Sequence, residues 1–353
     1  MKLLILTQKV DINDDVLGFT HDWIVEFSKN CEKINVIALS VGKYDLPENV
    51  KVFSLGKEKG KSKIKYLVNF YKYIWLERKN YDSVFVHMNQ VYAILGGLFW
   101  RSEGKKIGFW YAHKSISISL KIAEKIVNVI FTPSKESFRL VSKKINITGH
   151  GINIDIFKPA LNIEKNKEFK IITVGRISPI KDYEVLIKAI DVITKQGVEV
   201  DVKIIGGPGT LEQEKYFSDL QKIVKEKKLD NIISFIGSVP YKENLHYFQS
   251  ADLFVNMSRT GSLDKAILEA MACGVIVLSS NDSYKEILSE KHSDLVYRAG
   301  DSNELAKKII KIKNYPETMK NNFGEELRNI VEINHNLKKL IIKIISILNG
   351  KAS

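Results

Sequence analysis

Short apolar, β-branched runs alternate with helical patterns from one end of this 353-residue chain to the other, and nothing else in the sequence constrains the fold as much. In the first half the runs fall at 2–8, 35–41, 50–56, 83–88, 106–112 and 129–133, with helical segments such as 19–30, 64–79 and 118–127 between them. In the second half they fall at 169–175, 201–206, 232–236, 252–257, 275–279 and 294–297. Helical patterns near 182–195, 211–228, 242–249, 264–272, 283–289 and 302–313 fit between those. Alternation of this kind predicts parallel sheets covered by helices on both faces. The pattern pauses once, at 155–168 (DIFKPALNIEKNKE), a polar stretch with Pro159 that reads as a linker. The chain therefore divides into two α/β units, 1–155 and 156–332, a size that suits roughly 100–200 residues per domain. Doubly wound sheets bind ligands outside the carboxyl ends of their strands. Two such units facing each other across a cleft would offer loops from both sides.

Hydrophobic residues make up 44% of the chain, enough for a core in each half. Cys31 and Cys273 are the only cysteines. They are far apart, have no metal-ligand spacing and imply no disulfide framework, which fits a reducing, cytoplasmic compartment. The opening MKLLILTQKV reads as a buried strand: its apolar run is short for a leader, no small-residue cleavage site follows, and Asp11 interrupts it. No apolar stretch reaches the ~18 residues of a membrane-spanning helix. The net charge of +13 suits phosphorylated substrates or an anionic membrane surface, and equally a Lys/Ile/Asn-rich coding bias. Nucleic acid is set aside, because no zinc-finger spacing, aromatic RNP pattern or basic heptad region is present.

Two constellations carry chemistry. In VGRISPIKDYEVLIKAI (174–190) a strand ends at Gly175, a turn carries Arg176 and Lys181, and a helix follows from Asp182. Arg grips phosphate bidentately, Lys is a point charge, and the helix start adds N–H donors, so the set suits a diphosphate; a solvated loop is the plain alternative. In MSRTGSLDKAILEAMACGVIVLSS (257–280) a strand leads into a loop where Gly261 permits close backbone approach. A helix then starts near Asp264, carries Glu269 and ends at Gly274 in the usual C′ position. Glu269 lies between Leu268, Ala270 and Met271, unusual company for a merely solvated carboxylate.

GRISPIK together with LEAMACG resembles the retaining glycosyltransferases of family 4 (glycosyl transferases group 1), which have the GT-B fold: two Rossmann-like, doubly wound α/β domains. GHGINIDIFKP (149–159), IIGGPG (204–209) and FIGSVPYKENLHYFQSADLFVNMS (235–258) extend the likeness, so it spans nearly all of 149–280. The resemblance implies that Arg176 and Lys181 hold the leaving diphosphate beside Gly175, and that Glu269 binds ribose hydroxyls. It implies that Gly261, Ser262, Leu263, Asp264 and Lys265 form the loop contacting phosphate and sugar. In the first half, VLGFTHDW (16–23) matches the family's glycine-rich loop, placing Gly18 against the phosphates. His113 in FWYAHKS matches a histidine near the transferred sugar. The family's first loop glutamate falls at Gly261 here and is missing. Asp264 is the expected substitute, with an altered donor preference. The expected donor is a nucleoside-diphosphate sugar of UDP or GDP type, and the acceptor a glycan or lipid-linked hydroxyl. No cofactor and no metal are expected, since no Asp-x-Asp pair stands in a strand-end context.

Other residues leave two readings open. His87 and His150 are either site or structural histidines. The basic run KEKGKSKIKYLVNFYK (57–72) is read as a flexible loop, either solvated or turned to an anionic membrane or lipid-diphosphate acceptor. The amphipathic tail 333–353 either lies on a membrane surface or packs back on the first domain. Among rivals, an epimerase would need a proton-abstraction set that is not found in this chain, and a nicotinamide dehydrogenase would need G-x-G-x-x-G after a first strand, whereas the GGPG turn lacks that spacing and follows the second strand of its domain. A nucleotide-sugar-binding or membrane-surface protein without catalysis is the alternative from another class. The localisation that follows is cytoplasmic, with peripheral attachment to the inner membrane face where the basic segments engage lipid.

Overall fold

The computed structural model describes the whole chain except residues 61, 161–167, 260–262, 289 and 351–353. It divides into two compact units: Met1–Asn153 with Pro240–Lys242 and the segment from His335 onward, and Ile154–Val239 with Glu243–Asn334.

The first unit is built on a seven-stranded sheet of β1 (Lys2–Val10), β2 (Lys33–Val41), β3 (Val50–Ser54), β4 (Ser83–His87), β5 (Lys106–Trp110), β6 (Val129–Thr132) and β7 (Ile145–Ile147). Spatial order is β3-β2-β1-β4-β5-β6-β7, every pair is parallel, and β1 is flanked in register by Leu3↔Ile34 and Leu3↔Ser83. Central parallel strands are covered on both faces and therefore read as unbroken apolar runs; Leu3, Leu4, Ile5 and Leu6 are all buried. Successive side chains point to opposite faces. Leu3 and Ile5 join Trp23 and Phe27 of α1 (Phe19–Ser28), whereas Leu4 and Leu6 join Phe70, Ile74 and Trp100. The latter belong to α2 (Lys63–Leu76) and α3 (Gln90–Ser102), and α4 (Ile118–Ile126) completes that layer. In α3, a Cβ on Gly97 would fall 2.1 Å from Ile126 Cγ2, so glycine there lets α3 and α4 pack closely.

The second unit has a five-stranded parallel sheet of β8 (Phe169–Val174), β9 (Val200–Ile205), β10 (Ile233–Gly237), β11 (Leu253–Asn256) and β12 (Ile276–Ser279), in the order β10-β9-β8-β11-β12. Its helices are α5 (Tyr183–Lys195), α6 (Leu211–Glu226), α7 (Asn244–Ser250), α8 (Lys265–Ala272), α9 (Ser283–Ile287), α10 (Ser302–Lys313) and α11 (Glu317–Asn334). The last helix, α12 (Leu337–Leu348), belongs to the first unit. Leu337, Leu340, Ile341, Ile344, Ile345 and Leu348 are buried there with Trp23, Phe27, Trp110 and Phe131. Asn336 caps this helix, accepting from the Lys338 and Lys339 amides. The chain on either side of the cap is tied to the strand-end segment by Ile152 N–H to His335 O and Leu337 N–H to Ile152 O.

Several expectations change. Residues 294–297 are not a strand: a 3₁₀ segment covers Glu290–Leu295, and one parallel bridge, Ser279↔Val296, is all the pairing described. The Val296 amide turns back to Ser293 O, which withdraws it from a ladder. The basic run 57–72 is not a flexible loop: a short 3₁₀ turn at Lys57–Lys59 leads into α2, as the helical pattern at 64–79 had it, started by Ser62, whose side chain accepts from Lys65 N. Three elements do not show in the alternation. They are α3, with two glycines at its centre, the three-residue β7, and the polar α11. Among the described residues, no helix is long and apolar enough to cross a membrane.

Candidate functional site

The loops that follow β8 and β9 are sewn together at the carboxyl edge of the second sheet. Gly175 N–H donates to Ile205 O at 2.9 Å, and Ile177 N–H donates to Gly207 O at 3.0 Å. Gly206 sits at φ +131°, and a Cβ there would lie 2.0 Å from the Gly175 carbonyl oxygen, so only glycine fits. That same carbonyl accepts from the buried Tyr183 hydroxyl at 3.0 Å. Burial pushes the ionisation of Tyr183 upward and keeps it a donor. After this seam the chain makes a 3₁₀ turn, Pro179–Lys181, and Asp182 takes a left-handed conformation (φ 55°) before α5. Arg176 is exposed beside the β9 turn: a Cβ on Gly209 would be 3.5 Å from its Cδ. Arg176 has no hydrogen bond or ion pair among the described residues.

Lys181 does have a partner. Its Nζ donates to both Asp264 oxygens at 2.8 Å, across 83 residues of sequence. Both side chains are about one-fifth exposed (22% and 20%). Asp264 is held from two further directions. Asn256 Nδ2 donates to its Oδ2 at 2.8 Å, and the buried Tyr284 hydroxyl donates to its main-chain oxygen. Asn256, the last residue of β11, is itself fixed: its carbonyl accepts from Ser280 N–H and Tyr297 OH, both at 3.1 Å, and its Oδ1 from Ser258 N–H at 3.3 Å. Sequence reasoning missed Asn256 and Tyr284. The polar Asn closing an otherwise apolar strand, LFVN, is the signal that was there to use.

Helix α8 adds the second pair. Lys265 Nζ bonds Glu269 Oε1 at 2.9 Å, one helical turn apart, with the Glu269 side chain only 4% exposed. Leu268, Ala270 and Met271 around it are buried. Gly274, at φ 76°, ends the helix. Leu263 is buried ahead of it, while Gly261 and Ser262 lie outside the described residues. The second unit thus brings Gly175, Lys181, Asp264, Lys265 and Glu269 to the sheet edge at the ends of the adjacent strands β8 and β11, with Arg176 on the β9 side of β8. Among the described residues, an incoming anion would meet the Arg176 guanidinium without an ion-pair partner and the Lys181 ammonium paired with the Asp264 carboxylate.

Gly18 and His113 belong to the first unit. Gly18 closes a turn built on Asp14, whose Oδ1 accepts from Val16 and Leu17 N–H and whose Oδ2 takes Lys9 Nζ at 2.7 Å. Burial opposes the charge of Asp14, but hydrogen bonds from Lys9, Leu17 and Val16 outweigh it and hold the carboxyl below its ordinary value. A Cβ on Gly18 would press to 2.6 Å from Asp14 O, so this turn needs glycine. His113 is exposed after β5, with Nδ1 accepting from Ser115 N–H at 3.2 Å. His87 is buried against Phe19 and Trp23 and hydrogen-bonds with Thr7 Oγ1 at 3.3 Å, the surroundings of a structural histidine. His150 is likewise buried, its main-chain N–H donating to His335 Nδ1 at 3.2 Å. Among the described residues, no group of three or more His, Cys, Asp or Glu is placed to hold a metal.

Comparison with known proteins finds a family resemblance for the stretch that carries this edge. Residues 155–330, just under half of the chain, match the family described as glycosyl transferases group 1. An uncharacterized glycosyltransferase of Methanocaldococcus jannaschii is 26% identical over 70% of this chain and 64% of its own length. The amylovoran biosynthesis glycosyltransferase AmsK of Erwinia amylovora is 28% identical over 48% of this chain and 42% of its own. The D-inositol 3-phosphate glycosyltransferase of Pseudarthrobacter chlorophenolicus is 27% identical over 45% and 41%. The chain therefore spans roughly half the length of the curated relatives it matches. Among solved structures, Anabaena HepE in complex with UDP and glucose superposes with a TM-score of 0.79, covering 99% of this chain and 100% of that one at 17% identity. Sucrose-phosphate synthase of Thermosynechococcus elongatus gives 0.79 at 14% identity, covering 99% of each. The fold is GT-B: two Rossmann-like domains on parallel sheets.

Proposed function

We propose that this chain transfers a sugar from a nucleoside-diphosphate sugar to an acceptor hydroxyl, with retention at the anomeric carbon, in cell-surface polysaccharide or glycolipid assembly. The observation that carries the reading is the carboxyl edge of the second sheet, where Lys181 pairs with Asp264, the residue before the Lys265–Glu269 pair, and Arg176 lies exposed beside the β9 turn, all within the stretch that matches the family. In the reaction the bond from the anomeric carbon to the diphosphate breaks, and its electron pair leaves on a phosphate oxygen. The acceptor oxygen bonds that carbon, and its proton passes to the departing diphosphate. The hard part is the charge growing on the diphosphate. Arg176 and Lys181 meet it as positive groups, and losing one electrostatic donor of this sort typically costs about 100- to 1,000-fold in rate. Glu269, desolvated and oriented by Lys265, accepts hydrogen bonds from the ribose hydroxyls. The remaining roles rest on the resemblance: loop amides from Ser262 to Lys265 for phosphate and sugar, Gly18 for the phosphates, His113 for the transferred sugar. UDP is the first base to test, since the Anabaena neighbour carries UDP. The protein cations take the part a metal plays in other transferases, so activity survives chelation by EDTA.

Titration of UDP, GDP, ADP and NAD by calorimetry tests the reading. Tight binding of one nucleoside diphosphate, lost in Arg176→Ala, supports it. Binding of NAD alone, or near-normal turnover by both Arg176→Ala and Lys181→Ala, ends it.

A further inference from the structure

Helix α2 is apolar on two sides. Phe70 and Ile74 enter the core of the first unit, as a helix covering a sheet requires. The opposite stripe consists of Ile64, Leu67, Val68, Tyr71, Trp75 and Leu76, all between 41% and 77% exposed. Their spacing (i, i+3, i+4, i+7, i+11, i+12) puts them along one outward face. Scattered apolar residues on a surface need no explanation, but a continuous stripe of large ones does. Cations surround it. Lys63, Lys65 and Lys72 stand on the helix, Lys57 and Lys59 precede it and Lys79 follows it, all exposed. The helix contains no acidic residue, and its three lysines make no ion pair among the described residues. Trp75, with the Arg78 guanidinium 4.1 Å above its ring, is an amphipathic pair of the sort found at headgroup level.

We infer that this outward face of α2 docks on an anionic phospholipid bilayer, lying in the plane of the headgroups. Charge decides the partner. A second copy of the chain would bring the same unpaired lysines against these, whereas an anionic leaflet supplies the missing counter-charge and takes up the apolar stripe. The inference is independent of the sugar-transfer reading and stands or falls separately from it.

Trp75 provides the test. Trp23, Trp100 and Trp110 are buried, so a change in emission on adding vesicles reports Trp75, which is 53% exposed. With the full chain and vesicles of equal parts phosphatidylglycerol and phosphatidylcholine, emission shifts to the blue and the protein co-sediments. Pure phosphatidylcholine binds far more weakly. Each cation near an anionic surface is worth about five-fold in partitioning, so Lys63→Glu/Lys65→Glu/Lys72→Glu loses more than about 100-fold. Leu67→Ser/Val68→Ser/Trp75→Ser loses a comparable factor in co-sedimentation. Every altered side chain is exposed, so thermal midpoints stay at the parent value. Unchanged partitioning in both triple variants, no blue shift, or a concentration-dependent dimer abolished by the serine variant would each overturn the inference. The last outcome would give the face to a second copy.

Discussion

Asp264→Asn separates two parts that Asp264 has in the proposed site. Both oxygens of its carboxylate accept from Lys181 Nζ at 2.8 Å. A phosphate that takes the far side of the same ammonium, at ordinary hydrogen-bond distance, lies about 6 Å from that carboxylate. Two unit charges of like sign repel at that distance by about 3 kcal/mol at an effective dielectric near 20. Both side chains are about one-fifth exposed (22% and 20%), and salt screens them, so roughly half that repulsion survives. Asparagine keeps one oxygen able to accept from Lys181 and Asn256 Nδ2 and removes the charge, with its amide NH₂ replacing the second acceptor of Lys181. UDP, which lacks the sugar, should therefore bind Asp264→Asn about ten-fold more tightly, since ~1.4 kcal/mol is one decade. If Asp264 also stands in for the glutamate missing at Gly261, the intact UDP-sugar gains less than UDP, and turnover falls. Calorimetry with UDP, then with the UDP-sugar at matched ionic strength, reads both. UDP affinity that is unchanged or weaker in Asp264→Asn would refute the electrostatic argument. A UDP-sugar that gains as much as UDP would remove the sugar contact.

Three further outcomes follow from local geometry. Gly206→Ala forces a Cβ into the Gly175 carbonyl at a left-handed φ of +131°, so it should destabilise the second unit by at least about 2 kcal/mol and abolish nucleotide binding; a parent-like urea midpoint contradicts this. Burial pushes His335 down to about 4 from 6.5. The unfolded chain therefore takes up a proton near 6.5 that the native ring refuses. The stability tied to the neutral ring is complete above pH 6.5 and drains away as pH falls toward 4, by about 3 kcal/mol in all. Unfolding midpoints between these pH values should slope accordingly and flatten in His335→Gln; parallel slopes would exclude the histidine as the cause. Burial raises the Cys31 thiol to about 11 and the Cys273 thiol further still, with Glu269 adding to the latter. Neither should alkylate in the folded protein near neutral pH, and both should in denaturant; rapid labelling of native protein would show one of them to be accessible.

Much of the site is legible because its parts are local. A strand ending in glycine, two cations in the next turn and a helix start all lie within 174–190, and the α8 segment encodes its own loop, carboxylate and C′ glycine. What was hidden depends on chain segments far apart. The Lys181–Asp264 pair joins residues 83 positions apart, so no window of sequence contains it. Asn256 gains its place only when β12 lies alongside β11, and Tyr284 only when its hydroxyl reaches Asp264. The tail shows the same limit: its amphipathic period can be read from the residues, but what covers the apolar side cannot, until Trp23, Phe27 and Trp110 are seen against it. Segment 294–297 failed in the opposite sense. Its residues suit a strand locally, and the backbone turn at Ser293–Val296 leaves only a single bridge.

The placement of α12 also bears on how the protein is made. A ribosome delivers β1 to β7 early, yet the aromatic face of Trp23, Phe27 and Trp110 waits for a helix that emerges after the whole second unit. During that interval the nascent first unit carries an uncovered apolar groove, the kind of surface that recruits chaperones or seeds aggregation. The second unit, contiguous in sequence apart from Pro240–Lys242, has no such wait. Vectorial synthesis would then complete the unit begun second before the unit begun first, and a stop codon just before Leu337 would cost the molecule its earlier half.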